Sequence, residues 1–144
     1  MNTTHYDLIA IGGGSGGLAV AEKAAQLGRK VAIIESHRLG GTCVNNGCVP
    51  KKVVWYAANL AHAVDDASDF GITAHRGRTD WKKLVSGRED YIRNINDYWN
   101  DHVEDNRIDR ISGAQRQQPS HVDVHARFGN TIVVAAERAE RFTA

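Results

Sequence analysis

The fold is decided by residues 6–17, which read Tyr-Asp-Leu-Ile-Ala-Ile-Gly-Gly-Gly-Ser-Gly-Gly. The short apolar run predicts a buried strand that leads into a glycine turn. An apolar helix is predicted over about residues 17–27, with Gly28 as its left-handed cap. Residues 30–34 predict a second strand, which ends at Glu35. This order of strand, glycine turn, helix, strand and acid is typical of a dinucleotide-binding βαβ unit.

The glycines of this pattern have separate roles. Gly12 makes the tight turn, Gly14 lets a pyrophosphate approach the backbone, and Gly17 lets helix and strand pack closely. The helix N-terminus offers free N–H groups and a partial positive charge to the phosphates. Glu35 lies 18 residues past Gly17, where an acid can accept hydrogen bonds from a ribose. Dinucleotide binding is therefore favoured over a glycine turn that serves packing alone.

The only two cysteines lie within residues 40–52, which read Gly-Gly-Thr-Cys-Val-Asn-Asn-Gly-Cys-Val-Pro-Lys-Lys. On a regular helix their Cα atoms would be roughly 9 Å apart, whereas a disulfide tolerates at most about 7 Å. A bridge between Cys43 and Cys48 therefore needs an irregular turn, which Asn45-Asn46-Gly47 favours, and Pro50 suits the start of a following helix. A zinc site lacks ligands, because no second cysteine pair exists. A redox-active pair is favoured, and a structural disulfide is the alternative.

Length, charge and hydropathy exclude several classes of protein. The chain has 144 residues, enough for one domain with a core, and its formal charge of +1 with scattered basic residues does not favour nucleic-acid binding. No apolar run approaches the ~20 residues of a membrane span, and residues 1–5 lack the features of a secretory signal. We therefore expect a soluble, cytoplasmic protein without nucleic-acid or membrane partners. No histidine has an evident partner, so none is expected to bind metal or act as a base.

The rest of the chain predicts two helices and several strands. One helix runs on from Lys52 to about residue 64, and a loop over residues 72–79 precedes a long amphipathic helix that starts at Asp80. The apolar stripe of the long helix consists of Trp81, Leu84, Val85, Tyr91, Ile92, Ile95, Trp99 and Val103. We expect this stripe to pack in a core or interface rather than to contact a ligand. From residue 107 onward a period of two predicts a small antiparallel layer, around Ile108 and Ile111, Val122 and Val124, and residues 132–134.

Together, the glycine turn, Glu35 and residues 40–52 resemble the N-terminal part of the FAD-dependent pyridine nucleotide–disulfide oxidoreductases, and most closely the glutathione reductases. The resemblance is strong to about Tyr56 and looser beyond it. Pro50-Lys51-Lys52 points to the branch of glutathione, trypanothione and large thioredoxin reductases. The resemblance implies an α/β, Rossmann-like FAD-binding segment with parallel strands, a redox-disulfide helix, a long amphipathic helix and a small antiparallel β layer. A simple NAD-linked dehydrogenase would leave the cysteine pair unexplained.

The resemblance also implies roles for matching positions. The implied FAD contacts are Gly12, Gly14, Ser15, Gly16, Gly17, Glu35, Thr42, Cys43, Lys51 and Gln115. NADPH would reduce FAD, and FAD would reduce a Cys43–Cys48 disulfide through Cys48. Cys43 would then attack glutathione disulfide, while Lys51 would lie near flavin N5, where a cation stabilises an anionic flavin and a thiolate. Ser15 and Trp99 would lie on the substrate side, with Trp99 at the position of a tyrosine.

Departures from the family concern the substrate and the length. Glu22 occupies a helix position from which some glutathione reductases offer Arg or Asn to a substrate carboxylate, and an acid there would repel glutathione. Residues 1–144 correspond to the N-terminal part of the FAD-binding domain, without the NADPH-binding domain or the dimer-interface domain of these homodimeric enzymes. We therefore expect a truncated product or partial chain that is inactive alone. The alternatives are a trypanothione- or thioredoxin-type reductase and a non-catalytic FAD-binding fragment.

Overall fold

The chain is an α/β protein, in a computed structural model that describes residues 5–112, 124–128 and 131–135. Its elements are β1 (Leu8–Ile11), α1 (Ser15–Gln26), β2 (Val31–Glu35), α2 (Gly41–Asn45), α3 (Cys48–Asp66), a 3₁₀ turn (Ala67–Phe70), α4 (Trp81–Asp105), β3 (Asp109–Ser112), β4 (Val124–Phe128) and β5 (Thr131–Ala135). The chain divides into two compact units, Met1–Gly41 with Asn96–Ala144, and Thr42–Ile95. The predicted α/β class with parallel strands is confirmed.

The first unit is built on one five-stranded sheet in the order β3-β2-β1-β5-β4. β1 and β3 both pair in parallel with β2, whereas β5 runs antiparallel to β1 and to β4. The expected antiparallel pair is present as β4 and β5, which contain Val124 and residues 132–134, whereas Val122 lies outside the described residues. The prediction that Ile111 belongs to that antiparallel layer is wrong, because its segment forms β3 at the opposite edge of the sheet. Parallel pairing sets Ile111 opposite Ile34, and this lets Ile111 pack against the buried cluster of Ile9, Ala32 and Ile34.

Alternation along β1 and β2 gives the sheet two buried faces. On one face Ala10, Val31 and Ile33 meet the small and apolar side chains of α1. On the other face Ile9, Ala32 and Ile34 form a second cluster. β1 and β2 are therefore continuous apolar runs, as expected for central parallel strands covered on both sides.

The ends of α1 and α4 follow the predicted signals. Gly28 has φ +74° directly after α1 and its N–H donates to Ala25 O, so the predicted left-handed cap is confirmed. Asp80 precedes α4, and its Oδ1 accepts the Lys83 N–H at 3.0 Å, which satisfies one of the free donors at the helix start. The predicted start of the long helix at this acid is confirmed.

The apolar stripe of α4 is only partly buried. Ile92 and Val103 are buried, and Leu84, Ile95 and Trp99 are half-buried. Trp81, Val85 and Tyr91 are exposed, at 64%, 43% and 53% of their surface. The expected packing of the stripe is therefore confirmed at its buried and half-buried positions, and it is wrong at Trp81, Val85 and Tyr91.

Candidate functional site

The glycine turn leaves the start of α1 open to an anion. Gly12 has φ +103°, a conformation that glycine adopts without strain, and its N–H donates to Ile34 O at 2.8 Å. Gly14 is the N-cap of α1 and offers no side-chain cap, and the first turn contains no acid. The first helical residue, Ser15, is exposed. The free N–H groups of this turn are therefore available to a phosphate, as the sequence predicts.

Glu35 holds the glycine turn through its carboxylate. Its Oε2 accepts the Gly13 N–H at 2.7 Å, and its Oε1 accepts the His37 N–H at 2.9 Å. A carboxylate has about four acceptor positions, so these two bonds leave others for the hydroxyl groups of a ribose. The sequence predicts the ribose contact of Glu35, whereas its bond to the glycine turn is a finding of the structure.

Neighbouring atoms approach the glycine turn so closely that side chains are excluded from it. A Cβ on Gly13 would lie 2.6 Å from Leu39 Cδ2, and Leu39 is fully buried. Gly40 N–H donates to Gly13 O at 2.8 Å, and a Cβ on Gly41 would lie 2.7 Å from Gly14 Cα. The Gly-Gly pair before the first cysteine therefore packs against the fingerprint glycines. Sequence reasoning missed this role, although two adjacent glycines are a signal of close backbone approach.

These residues fit a dinucleotide such as FAD. The N-terminus of α1 has no side-chain cap, its first turn has no acid, and Glu35 stands at the end of β2 beside the turn. Gly16 is half-buried and Gly17 is buried against the core, as close packing of helix and strand requires. Thr42 is exposed in the first turn of α2. Gln115, the remaining predicted cofactor residue, lies outside the described residues.

The two cysteines face each other across a break between two helices of the second unit. α2 ends at Asn45 and α3 begins at Cys48, so the predicted irregular turn falls at Asn46-Gly47. At this turn a Cβ on Gly47 would lie 2.9 Å from Thr42 O and 3.4 Å from Cys43 Cα. The close approach of the two backbones lets the Cys43 and Cys48 thiols, which are free, form a side-chain hydrogen bond.

The groups around Cys43 shift the pKa of its thiol in opposite directions. The side-chain hydrogen bond to Cys48, followed by burial and the negative charge of Cys48, raises the pKa of Cys43. A hydrogen bond from the Cys48 backbone N–H and the positive charge of Lys52 lower it. The effects that raise it are the larger, so the pKa of Cys43 ends above its ordinary value. A side-chain hydrogen bond thus joins the two sulfurs.

Lys51 lies in the same region, in the first turns of α3. Its N–H donates to Gly47 O at 3.1 Å, and its side chain is exposed. The cysteine at the head of α3 and the two lysines that follow it are therefore carried by one helix start, which itself has a partial positive charge. Cys43 and Cys48 are hydrogen-bonded in the second unit and Lys51 lies on the same helix as Cys48, whereas the catalytic roles of the three residues stay predictions.

A second polar cluster lies between α1 and α4 in the first unit. His102 Nε2 lies 3.5 Å from Glu22 Oε2, and the His102 ring stacks on Tyr98 and meets Trp99 edge-on. The expectation that His102 has no partner is wrong. Gln26 Nε2 also donates to Glu22 Oε1 at 3.0 Å, so both carboxylate oxygens of Glu22 are engaged. Trp99 packs against the core cluster of α1, and its predicted contact with substrate stays a prediction.

The described residues contain no group of three His, Cys, Asp or Glu side chains placed to hold a metal ion. In the same part of the chain, no helix is long and apolar enough to cross a membrane.

Comparison with known proteins agrees with this geometry. A sequence profile described as pyridine nucleotide-disulphide oxidoreductase matches residues 6–137. A glutathione reductase of Yarrowia lipolytica is 35% identical over 93% of the chain, and one of Debaryomyces hansenii is 40% identical over 83% of it. The chain spans 31% and 26% of the length of these two relatives.

Proposed function

Because the chain belongs to the pyridine nucleotide-disulphide oxidoreductase family, we propose that it is the FAD-binding, dithiol-bearing part of a reductase of glutathione disulfide. The observation that carries this proposal is the hydrogen bond between the Cys43 and Cys48 thiols at the break between α2 and α3. Two sulfurs joined by a hydrogen bond can close into a disulfide without large movement. The similarity to two glutathione reductases supports the choice of substrate.

The reaction begins with the proton of the Cys43 thiol. Loss of this proton to solvent makes Cys43 the thiolate, which is the nucleophile in disulfide exchange. The Cys43 thiolate attacks one sulfur of glutathione disulfide. The products of this step are a mixed disulfide on Cys43 and one glutathione thiolate.

The second step uses Cys48. Its thiol gives its proton to the departing glutathione thiolate, and the Cys48 thiolate attacks the Cys43 sulfur. This attack closes the Cys43–Cys48 disulfide and releases the second glutathione. Glutathione disulfide gains two electrons and the cysteine pair loses them. Bound FAD, with NADPH as the donor, supplies the two electrons that restore the dithiol.

The charges of the residues near the reacting sulfurs favour a disulfide substrate that is negatively charged. Lys51 and Lys52 lie three and four residues after Cys48, and no acidic residue occurs between Glu35 and Asp65. Glutathione disulfide is negative at neutral pH, whereas trypanothione disulfide is positive. The objection raised by Glu22 is weakened, because that carboxylate is engaged by His102 and Gln26. A cytoplasmic location and a homodimeric assembly are part of the proposal through the resemblance alone.

Trapping of the mixed disulfide tests this proposal. In Cys48→Ser the second step is blocked, so the reduced chain is expected to accumulate a glutathione adduct on Cys43 after addition of glutathione disulfide. The wild-type chain is expected to close its own disulfide instead, and mass spectrometry distinguishes the two products. Cys43→Ser is the matched control and is expected to form its adduct more slowly. Faster adduct formation at Cys48 in that control, or no adduct on Cys43, would overturn the proposal.

A further inference from the structure

One polar side chain of α4 is buried on the apolar stripe of that helix. Asn96 is 6% exposed and shares its face of the helix with Ile92, Trp99 and Val103, at spacings of three and four residues. Ile92 and Val103 are buried and Trp99 is half-buried, so this face of α4 is covered. A buried amide costs free energy unless its hydrogen bonds are made. An asparagine at a position that an apolar residue could fill therefore calls for a specific partner.

The partner of Asn96 is the β2–α2 connection, which consists of residues 36–40. The side-chain amide of Asn96 donates to Leu39 O at 2.9 Å, across 57 positions of the chain. Leu39 is fully buried in the core cluster that α1 and β2 share. Both residues belong to the first unit. Asn96 thus holds the backbone of the connection to α4 at the point where its one buried side chain enters the core.

The same connection packs against the glycine turn. Gly40 N–H donates to Gly13 O at 2.8 Å, and Leu39 Cδ2 would lie 2.6 Å from a Cβ on Gly13. The residue after Gly13 is the N-cap of α1, where free N–H groups are offered to a phosphate. A continuous set of contacts therefore leads from the Asn96 amide through Leu39 and Gly40 to the start of α1.

We propose that Asn96 is a positioning residue for the dinucleotide, because it holds the β2–α2 connection against Gly13 and so keeps the start of α1 in the form that accepts a pyrophosphate. Its role is indirect and acts through Leu39 and Gly40. Without the amide, the glycine turn samples more conformations, and the free energy needed to order it weakens binding of FAD. The inference rests on the proposed function, because FAD is the dinucleotide that it concerns.

Hydrogen exchange of single amides tests the inference without FAD. In Asn96→Leu the side chain keeps a similar shape and loses its donor, and NMR follows the Gly40 N–H of the isotope-labelled chain. Its exchange is expected to be about two- to tenfold faster than in the wild type, the range for one lost hydrogen bond. The Ile33 N–H in β2, a central strand of the sheet, is the internal reference and is expected to keep its wild-type rate.

Binding of FAD, followed by quenching of its fluorescence, is the second measurement. The dissociation constant of FAD is expected to rise in Asn96→Leu by the same two- to tenfold factor. Asn94→Leu is the matched control, because Asn94 is an exposed asparagine of the same helix. It is expected to change neither the Gly40 exchange rate nor the affinity for FAD.

Two more variants separate positioning from general stability. Ile9→Val removes a methylene from the cluster on the other face of the sheet, so it lowers the urea midpoint and is expected to leave the affinity for FAD unchanged. Asn96→Ala is a second variant without the donor, in case Asn96→Leu alters the fold. Equal acceleration at Gly40 and Ile33 in both Asn96 variants would overturn the inference, since the amide would then stabilise only the fold as a whole. Wild-type affinity for FAD in both variants would also overturn it.

The outcome is separable from that of the proposed function. Wild-type affinity for FAD in the Asn96 variants leaves the mixed-disulfide test standing, because trapping of glutathione on Cys43 does not involve Asn96. Conversely, a chain whose Asn96 variants bind FAD more weakly, but which traps no glutathione, would retain the inference and lose the proposed function.

Discussion

Replacement of Gly47 by Ala should weaken the Cys43–Cys48 disulfide. The added Cβ would lie 2.9 Å from Thr42 O and 3.4 Å from Cys43 Cα, and both of these are backbone atoms that cannot rotate away. To relieve the contact, α2 must move away from the start of α3, and this movement separates the two sulfurs.

The size of the effect follows from the cost of overpacking. An added group in a closely packed contact costs about 1–3 kcal/mol. If this cost falls on the oxidised form, in which the sulfurs must be bonded, the reduction potential becomes about 20–60 mV less negative. In a fixed glutathione redox buffer, the ratio of disulfide to dithiol is then expected to fall about five- to a hundredfold.

The assay is equilibration of the chain in a series of glutathione redox buffers, followed by trapping of free thiols and separation of the two forms by mass. Gly87→Ala is the matched control, because a Cβ at Gly87 within α4 meets nothing within 4 Å. This control is expected to keep the wild-type potential and to gain about 0.5–1 kcal/mol of stability. An unchanged potential in Gly47→Ala would refute the steric argument, as would an equal shift in Gly87→Ala.

Two further changes test the first unit. Burial, and after it the hydrogen bond to Asp109, raises the pKa of Tyr6 from 10.0 to about 12, so the protonated phenol contributes stability that is fully present below pH 10 and lost by about pH 12. In Tyr6→Phe this loss should be absent, and urea midpoints that fall equally with pH in both proteins would contradict it. Glu35→Gln removes one acceptor and leaves the buried Gly13 N–H or the His37 N–H unpaired, at a cost of about 1–3 kcal/mol. A lower urea midpoint and less bound FAD are expected, and wild-type values for both would count against the role of Glu35.

The features that sequence predicted correctly depend on local conformation. The cap at Gly28 and the helix break at Asn46-Gly47 are set by residues that tolerate special turns, so composition alone indicates them. Likewise, the start of α4 after Asp80 follows from the capping ability of one side chain. The cysteine pair was predictable for the same reason, because the turn that joins the two sulfurs is encoded within residues 40–52.

The features that sequence did not predict depend on residues far apart in the chain. The partner of β3 is selected by packing of Ile111 against β1 and β2, and the strand's own period of two does not specify a parallel or antiparallel neighbour. The contact between Glu22 and His102 joins two helices and has no local signal.

The most direct test of the account is the number of electrons that the chain takes up per bound flavin. The chain with FAD is titrated anaerobically with a reductant, first as wild type and then as Cys43→Ser. A flavin linked to a functional disulfide predicts that the wild-type chain takes up twice as many electrons per flavin as the variant, because the disulfide is a second two-electron acceptor. Equal uptake by the two proteins, or a wild-type chain that retains no flavin, would contradict the account.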